Sequence, residues 1–443
     1  MDADQRDNTA DFVRQHESWN FLMCWGNGAL VSMGGAFFAV ETVMAGLVYQ
    51  LTQSSLAVGI ITSMSGVGWL WPQIFVGNWT EHRPRKMPAY TFTVYLRGTA
   101  LFIMPLTLLV PTGNGWYTYF LLLAVFAVYV SGCGVCVLPF WDVLAKVVPR
   151  KRVPMLLAYR NAAGGMLGFV AGLIVSYVLA PRSGIGYPYN YIILFGIGGF
   201  LSTVAYGLFV LVREPVDDYE AKRVTLRQFL KRGPMLYRQD KHFRRYFYYR
   251  CYWALCVMSQ ALFVPYAMGV LGAPAKVTGW FAGLAMMVTA LASFAWGRYA
   301  ERFGVVALLR ISACALGASS LVSFALATAI DLNIANDFLR ANYLWFFVIM
   351  FATGTAGVQG LNIAGSVYIL QLARPQYRAT YQAFMNALNV PLLCTPILAG
   401  LLVQNLSYEV VFGLSTIAAV LAVHMCNRLV DREEGNYPDV TFE

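Results

Sequence analysis

Two charged side chains stand inside stretches that are otherwise apolar, and any chemistry in this chain is to be sought there first. Glu41 lies in "FFAVETVMAGLV" and Arg97 in "TFTVYLRGTALFIM". A charge in the middle of a membrane-spanning helix costs about 2.5 to 3.5 kcal/mol on insertion scales, so it marks a pathway for ions, protons or substrate by default. Asn27, Gly34 and Glu41 are spaced by seven and share one helix face, which is expected to line a central cavity. Glu41 is therefore the candidate for proton coupling. Contact with a cationic substrate is a second role open to it, and a salt bridge to Arg97 is the structural alternative. At the helical rise the two depths differ by roughly 13 Å, so any link between them would run through water.

The remaining polar inventory is uncharged. Gln382, Asn386 and Asn389 form an i, i+4, i+7 stripe, followed by Pro391 and Pro396, which can kink their helix. Gln359 and Asn362 share a face in the small-residue stretch "TGTAGVQGLNIAGS". Such amides either bond a ligand or join helices across a bundle. Together with Asn27 and Arg97 they are the substrate-cavity candidates. "CGVC" at 133 to 136 has the spacing of a redox pair, but it is deep in an apolar run, where thiols act as small packing groups. There is no phosphate-binding loop, zinc-ligand spacing or nucleophile elbow, so the chain reads as neither an enzyme nor an ATP-driven pump. No cofactor or metal is expected.

These residues need a scaffold that places them in lipid. The chain is 58% hydrophobic and 12% charged, with a mean hydropathy of +0.56, against roughly 25% charged in an average soluble domain. Apolar runs near 19–49, 56–79, 88–110, 116–141, 155–180 and 189–212 are followed by runs near 246–271, 277–299, 305–330, 342–371, 379–404 and 408–427. Each is long enough to cross about 30 Å of hydrocarbon as a helix. The fold expected is an all-α polytopic membrane protein of twelve helices in two sets of six. Its parts are a tail (1–18), a six-helix bundle (19–212), a basic linker (213–245), a second bundle (246–430) and a second tail (431–443).

Lys and Arg fix the orientation, since they accumulate in cytoplasmic loops. Alternate loops hold Arg83, Arg85 and Lys86, then Lys146, Arg150, Lys151 and Arg152, then the basic run from Arg213 to Arg250, whereas the opposite loops carry Arg182, Lys276 and Arg340. Both termini are expected in the cytoplasm, and the polar N-terminus lacks the apolar core of a signal peptide. Asp142 and Arg160, at the inner ends of helices four and five, are assigned to a cytoplasmic charge network. The net charge of +10 follows from this asymmetry and calls for no nucleic acid. Within the linker, "VTLRQFLKRGPMLYR" has the pattern of a helix lying on an anionic leaflet.

"GNWTEHRPRK" at 77–86 and "GRYAERFG" at 297–304 repeat Gly and Glu at an offset of 220 residues, while Pro149 and Arg152 match Pro375 and Arg378 at 226. Two matches at nearly one offset indicate internal duplication, one of the known transporter plans.

On these loops the chain resembles the major facilitator superfamily, whose motif between helices two and three is G-x-x-x-D-R-x-G-R-K. Gly77, Glu81, Arg85 and Lys86 match in the first copy, and Gly297, Glu301, Arg302 and Gly304 in the second. His82 and Pro84 depart from it, as do Val305 and Val306. The resemblance implies a conformational latch formed by Gly77, Glu81, Arg85, Gly297, Glu301 and Arg302, with Glu81 meeting the start of helix eleven and Glu301 the start of helix five.

The function expected is a secondary active transporter working by alternating access. It is read as proton-coupled through Glu41 and as an exporter of a small apolar or amphiphilic molecule, acting as a monomer in a bacterial inner membrane. An importer of a polar neutral solute is the alternative within the class. A receptor or scaffold that keeps the fold without transport is the alternative outside it. The partners expected are a small-molecule substrate, protons and the lipid bilayer.

The orientation is tested by single cysteines at Asn114, Asn333 and Asn436 in a cysteine-free background. An impermeant maleimide should label the first two from outside and not the third. The reverse pattern at Asn114 and Asn436 would invert the topology.

Overall fold

The computed structural model describes residues 3–73, 85–110, 114–149, 152–215, 236–372 and 378–430. All regular structure among them is helical, as an apolar medium requires of a chain that must satisfy its own backbone. Eleven described helices are long and apolar enough to span a membrane, and Ser55–Leu70 is a shorter apolar one. In chain order, helix one covers Phe12–Thr52, helix two Ser55–Leu70, helix three Met87–Leu109, helix four Gly115–Val147, helix five Met155–Val178 and helix six Tyr189–Val210. Helices seven to twelve cover Lys241–Gly269, Val277–Phe303, Val305–Asp331, Tyr343–Ile369, Phe384–Asn405 and Tyr408–Cys426. The result is a polytopic bundle of two six-helix repeats.

Local chemistry sets the helix ends. Asn114 is extended and its side chain accepts from the Trp116 amide at 2.9 Å, which starts helix four. Asp240 does the same for helix seven, accepting from His242 N at 2.8 Å and Phe243 N at 3.1 Å. Helix seven therefore begins at Lys241, inside the segment read from sequence as linker, because charge composition hides a helix start that a capping aspartate reveals. The amphipathic segment read at 224–238 lies largely outside the described residues. Helices eight and nine are joined by Gly304 alone, at φ +89°, a backbone conformation that glycine adopts without penalty.

The residues cluster into two compact units. The first is Met1–Thr52, Met64–Arg223 and Pro274–Ala290; the second is Gln53–Ser63, Val224–Ala273 and Leu291–Glu443. Helices two and eight thus contribute to both. In the first unit, helix one packs on five and six, and helix three on four and six. Its core holds Tyr90, Val143, Leu144, Val147 and Phe209. The first half of helix eight lies on helix five so closely that a Cβ at Gly172 would come within 2.5 Å of Gly283 Cα and 2.7 Å of the Gly279 carbonyl oxygen.

In the second unit, helix nine packs on ten and twelve, and helix seven on twelve, around Tyr246, Tyr249, Tyr368 and Tyr381. Here the first half of helix two meets helix eleven, and a Cβ at Gly59 would fall on the Pro396 carbonyl. Gln404 Nε2 donates to Ser54 Oγ at 2.8 Å, and Ser55 and Tyr408 share a hydroxyl contact at 3.0 Å.

These contacts separate three glycines. Gly172→Leu and Gly59→Leu should each destabilise the protein by about 1–3 kcal/mol, the cost of overpacking a filled interface, read as a lower unfolding midpoint in a denaturant titration. Gly297→Leu should leave the midpoint unchanged, because nothing lies within 4 Å of a Cβ there. A matching drop at Gly297 would contradict the packing described.

Candidate coupling and substrate site

Glu41 sits on an irregular backbone. Helix one is regular to Ala36, breaks, passes through a π-helical turn over Val40–Met44, and resumes as Ala45–Thr52. The break follows Gly34 and Gly35, two poor helix formers. It is bridged by i to i+3 bonds from Phe37 N to Gly34 O at 3.2 Å and Phe38 N to Gly35 O at 3.3 Å, and then by an i to i+5 bond from Met44 N to Ala39 O at 3.0 Å. Buried Phe37, Phe38 and Met44 hold it in place. π-turns of this kind recur at functional positions. The Glu41 side chain is exposed and has no hydrogen bond or ion pair among the described residues.

The seven-residue spacing does not survive the break. Asn27 is 2% exposed, and its Nδ2 donates to the Ala205 carbonyl of helix six at 2.8 Å. Gly34 likewise abuts Gly198 and Ser202 of helix six. The face expected to line a cavity is, at Asn27 and Gly34, a face packed on helix six, and only Glu41 departs from it.

Arg97 is 3% exposed and carries no ion pair among the described residues. Its Nε donates to Thr93 O at 3.1 Å and its Nη2 to Thr93 Oγ1 at 3.2 Å. The guanidinium lies 3.8 Å from the Tyr206 ring centroid and 5.3 Å from that of Tyr90, cation–π contacts that offset part of the burial cost. The structural alternative for Glu41, a direct pair with Arg97, is not formed.

Arg160 sits deeper in the helix packing than a loop-side charge network would place it. Its Nη2 donates to Asn27 Oδ1 at 3.3 Å, its guanidinium lies 5.0 Å from the Phe140 ring, and its Nη1 is buried with no partner among the described residues. Nearer the helix ends, Glu214 accepts from Lys86 N at 2.8 Å, Met87 N at 2.8 Å and Lys146 Nζ at 2.9 Å. A carboxylate at the N-terminus of helix three meets both the helix dipole and a counter-charge. Sequence reasoning missed Glu214, which falls just past an apolar run and matches no motif.

In the second unit, Gln359 donates to Ser293 Oγ at 2.8 Å and Asn389 accepts from Arg250 Nε at 3.3 Å. Both amides therefore join helices. Asn362 is exposed and Asn386 half-buried. The side chain of Gln382 lies outside the described residues. Helix eleven breaks between Leu392 and Thr395, flanked by Pro391 and Pro396. Of the latch residues, Gly77 and Glu81 lie outside the described residues, while Arg85, Glu301 and Arg302 are exposed and Gly297 faces open space. All eight cysteines are free, including Cys133 and Cys136.

Known proteins share this architecture. Among solved structures, the nucleoside transporter NupG superposes with a TM-score of 0.69 at 14% identity, covering 92% of this chain and 99% of that one. A bacterial homologue of the iron transporter ferroportin in an inward-facing state gives 0.68 at 14% identity over 92% and 98%. A D-xylose–proton symporter gives 0.66 at 14% over 96% and 98%. Uncharacterized proteins of Mycobacterium bovis and Mycobacterium tuberculosis are 24% identical over 253 residues, 56% of this chain. The matched region spans 46% of their length, so the chain covers about half of these relatives. The family model of the Major Facilitator Superfamily matches residues 25–386 and 255–439. With twelve apolar helices and duplicated loops behind that match, the chain belongs to the Major Facilitator Superfamily, a family of membrane transporters.

Proposed function

We propose that this protein is a proton-coupled secondary transporter in which Glu41 carries the coupling proton, and that it exports a small apolar or amphiphilic organic molecule. The observation behind the reading is the placement of Glu41: an exposed carboxylate without a partner among the described residues, on a π-turn just after a break in helix one. Protonation removes one full charge from a segment whose backbone is already irregular. A broken spanning helix is a recurrent place for substrate and ion sites in transporters. The Lys and Arg asymmetry supports both termini in the cytoplasm.

Import of a polar neutral solute rested on the stripe of Gln382, Asn386 and Asn389, of which Asn389 accepts from Arg250. The other amides Gln359 and Asn27 bond to Ser293 and Ala205, which leaves that alternative with less support. The latch reading of Gly77, Glu81, Arg85, Gly297, Glu301 and Arg302 stands as part of the proposal, resting on the duplicated motif.

A thermal-shift screen of metabolites identifies a substrate for proteoliposome assays, and Glu41→Gln then tests the coupling. The substitution fixes the neutral form, so flux driven by a pH gradient should fall to the level of empty vesicles while exchange at equal pH on both sides persists. Full gradient-driven flux in a well-folded Glu41→Gln protein would refute the assignment.

A further inference from the structure

At the Arg152 end of helices one and five, the first unit carries a groove of about 370 Å³. This is within the roughly 300–1,000 Å³ typical of small-molecule sites. Its walls are Phe21, Leu22 and Trp25 of helix one and Met155 and Tyr159 of helix five, with Arg152 at the end. Phe21 and Tyr159 meet edge to face at 6.4 Å. The apolar walls are uncovered: Leu22 is 50% exposed, Trp25 37%, Met155 40% and Tyr159 53%. Helical rise sets Arg152 about 10 Å from Tyr159 along the axis, so the groove is polar at one end and aromatic at the other.

One ion pair stands at its polar end. Arg152 is held by Glu17 at 3.1 Å, with the arginine side chain still 54% exposed. Glu17 engages one nitrogen of the Arg152 guanidinium and leaves its other donors open to the groove. An uncovered aromatic trough ending at an arginine with spare donors suits an amphiphile that carries one anionic group, because guanidinium matches the planar geometry of a carboxylate.

We infer that this groove binds a small organic acid with an apolar body, and that Glu17 is the competitor the acid displaces from Arg152. The inference rests on the reading of the chain as a transporter of small organic molecules, and it narrows that class to amphiphilic monoanions. The shape favours a free solute over a two-chain lipid, since about 370 Å³ accommodates one short apolar body.

The test uses the full-length protein in phosphatidylcholine nanodiscs and three probes with one body and different heads: 4-phenylbutyrate, 4-phenylbutyramide and 4-phenylbutylamine. Calorimetric titration at a single pH, with no gradient, keeps the outcome independent of Glu41 coupling. The acid should bind more tightly than the amide, and the amine least. Arg152→Gln should weaken the acid about two- to fivefold, the worth of a partly exposed ion pair, and leave the amide unchanged. Glu17→Gln should tighten the acid by a similar factor, and Trp25→Ala should weaken acid and amide alike. Arg152→Lys, which keeps the charge, should retain part of the preference and guards against misfolding, with elution as a single monodisperse peak as the control. A salt bridge with a purely structural role would instead move Arg152→Gln and Glu17→Gln in the same direction. That result overturns the inference, as do equal binding of acid and amide or no binding of any probe. Loss of acid binding on adding phosphatidylglycerol to the nanodiscs would assign the groove to a lipid headgroup and also overturn it.

Discussion

Every backbone amide that enters hydrocarbon must find its partner within the chain, and the rest of this structure follows from that requirement. It explains why all described regular structure is helical, and it gives the exceptions their meaning. Helix one gives up regular bonding between Ala36 and Ala45, and helix seven changes to a 3-10 turn over Met258–Leu262 before resuming at Phe263. The two irregularities are about 220 residues apart, the offset of the repeated loops. The first is a π-turn and the second a 3-10 turn, so the two halves interrupt regular bonding at matching positions in different ways. The side chains at the two places diverge: the first break carries exposed Glu41, and the second carries Gln260, 7% exposed and set against Gly354. The first irregularity thus carries an acid and the second an amide.

The same constraint governs the arginines. A guanidinium withdrawn from water without a carboxylate is costly, and Arg97 has none among the described residues. Its cost is met by Thr93, which supplies both a carbonyl and a hydroxyl one turn back, and by the face of Tyr206. Carboxylates are placed instead at helix starts, where orphan amides await acceptors. Glu214 at helix three and Asp240 at helix seven each satisfy two consecutive backbone amides. The rule used to interpret Glu81 and Glu301, that an acid belongs at a helix N-terminus, is thus expressed in this protein at residues outside the motif.

That contrast shows what a sequence of this kind discloses. Helix number, the two repeats and the family were readable because hydropathy acts over some twenty residues at a time and cannot be disguised. The break at 37–39 was not readable, although Gly34 and Gly35 weaken the helix there, because glycine pairs also occur in intact helices of this chain, such as Gly164 and Gly165 in helix five. The prolines near 391 and 396 were better guides, since proline removes a donor outright, and helix eleven breaks between them. Side-chain direction was the least legible property. Seven-residue spacing put Asn27 and Glu41 on one face, and a local change of helical pitch was enough to separate them.

Helices two and eight bear on how such a protein can move. The first half of helix two packs with helix eleven in one unit, and the first half of helix eight packs with helix five in the other. Both contacts bring backbone against backbone, with Gly59 on Pro396 and Gly172 on Gly283, and neither contains an ion pair among the described residues. Interfaces of this kind gain from dispersion between closely fitted surfaces and from few directed bonds; here the polar part is Gln404 to Ser54 and Ser55 to Tyr408. Opening them leaves no buried charge unpaired, so the penalty is the loss of many weak contacts instead of a few strong ones. Small residues meeting backbone thus give close contact without a desolvated charge at either place.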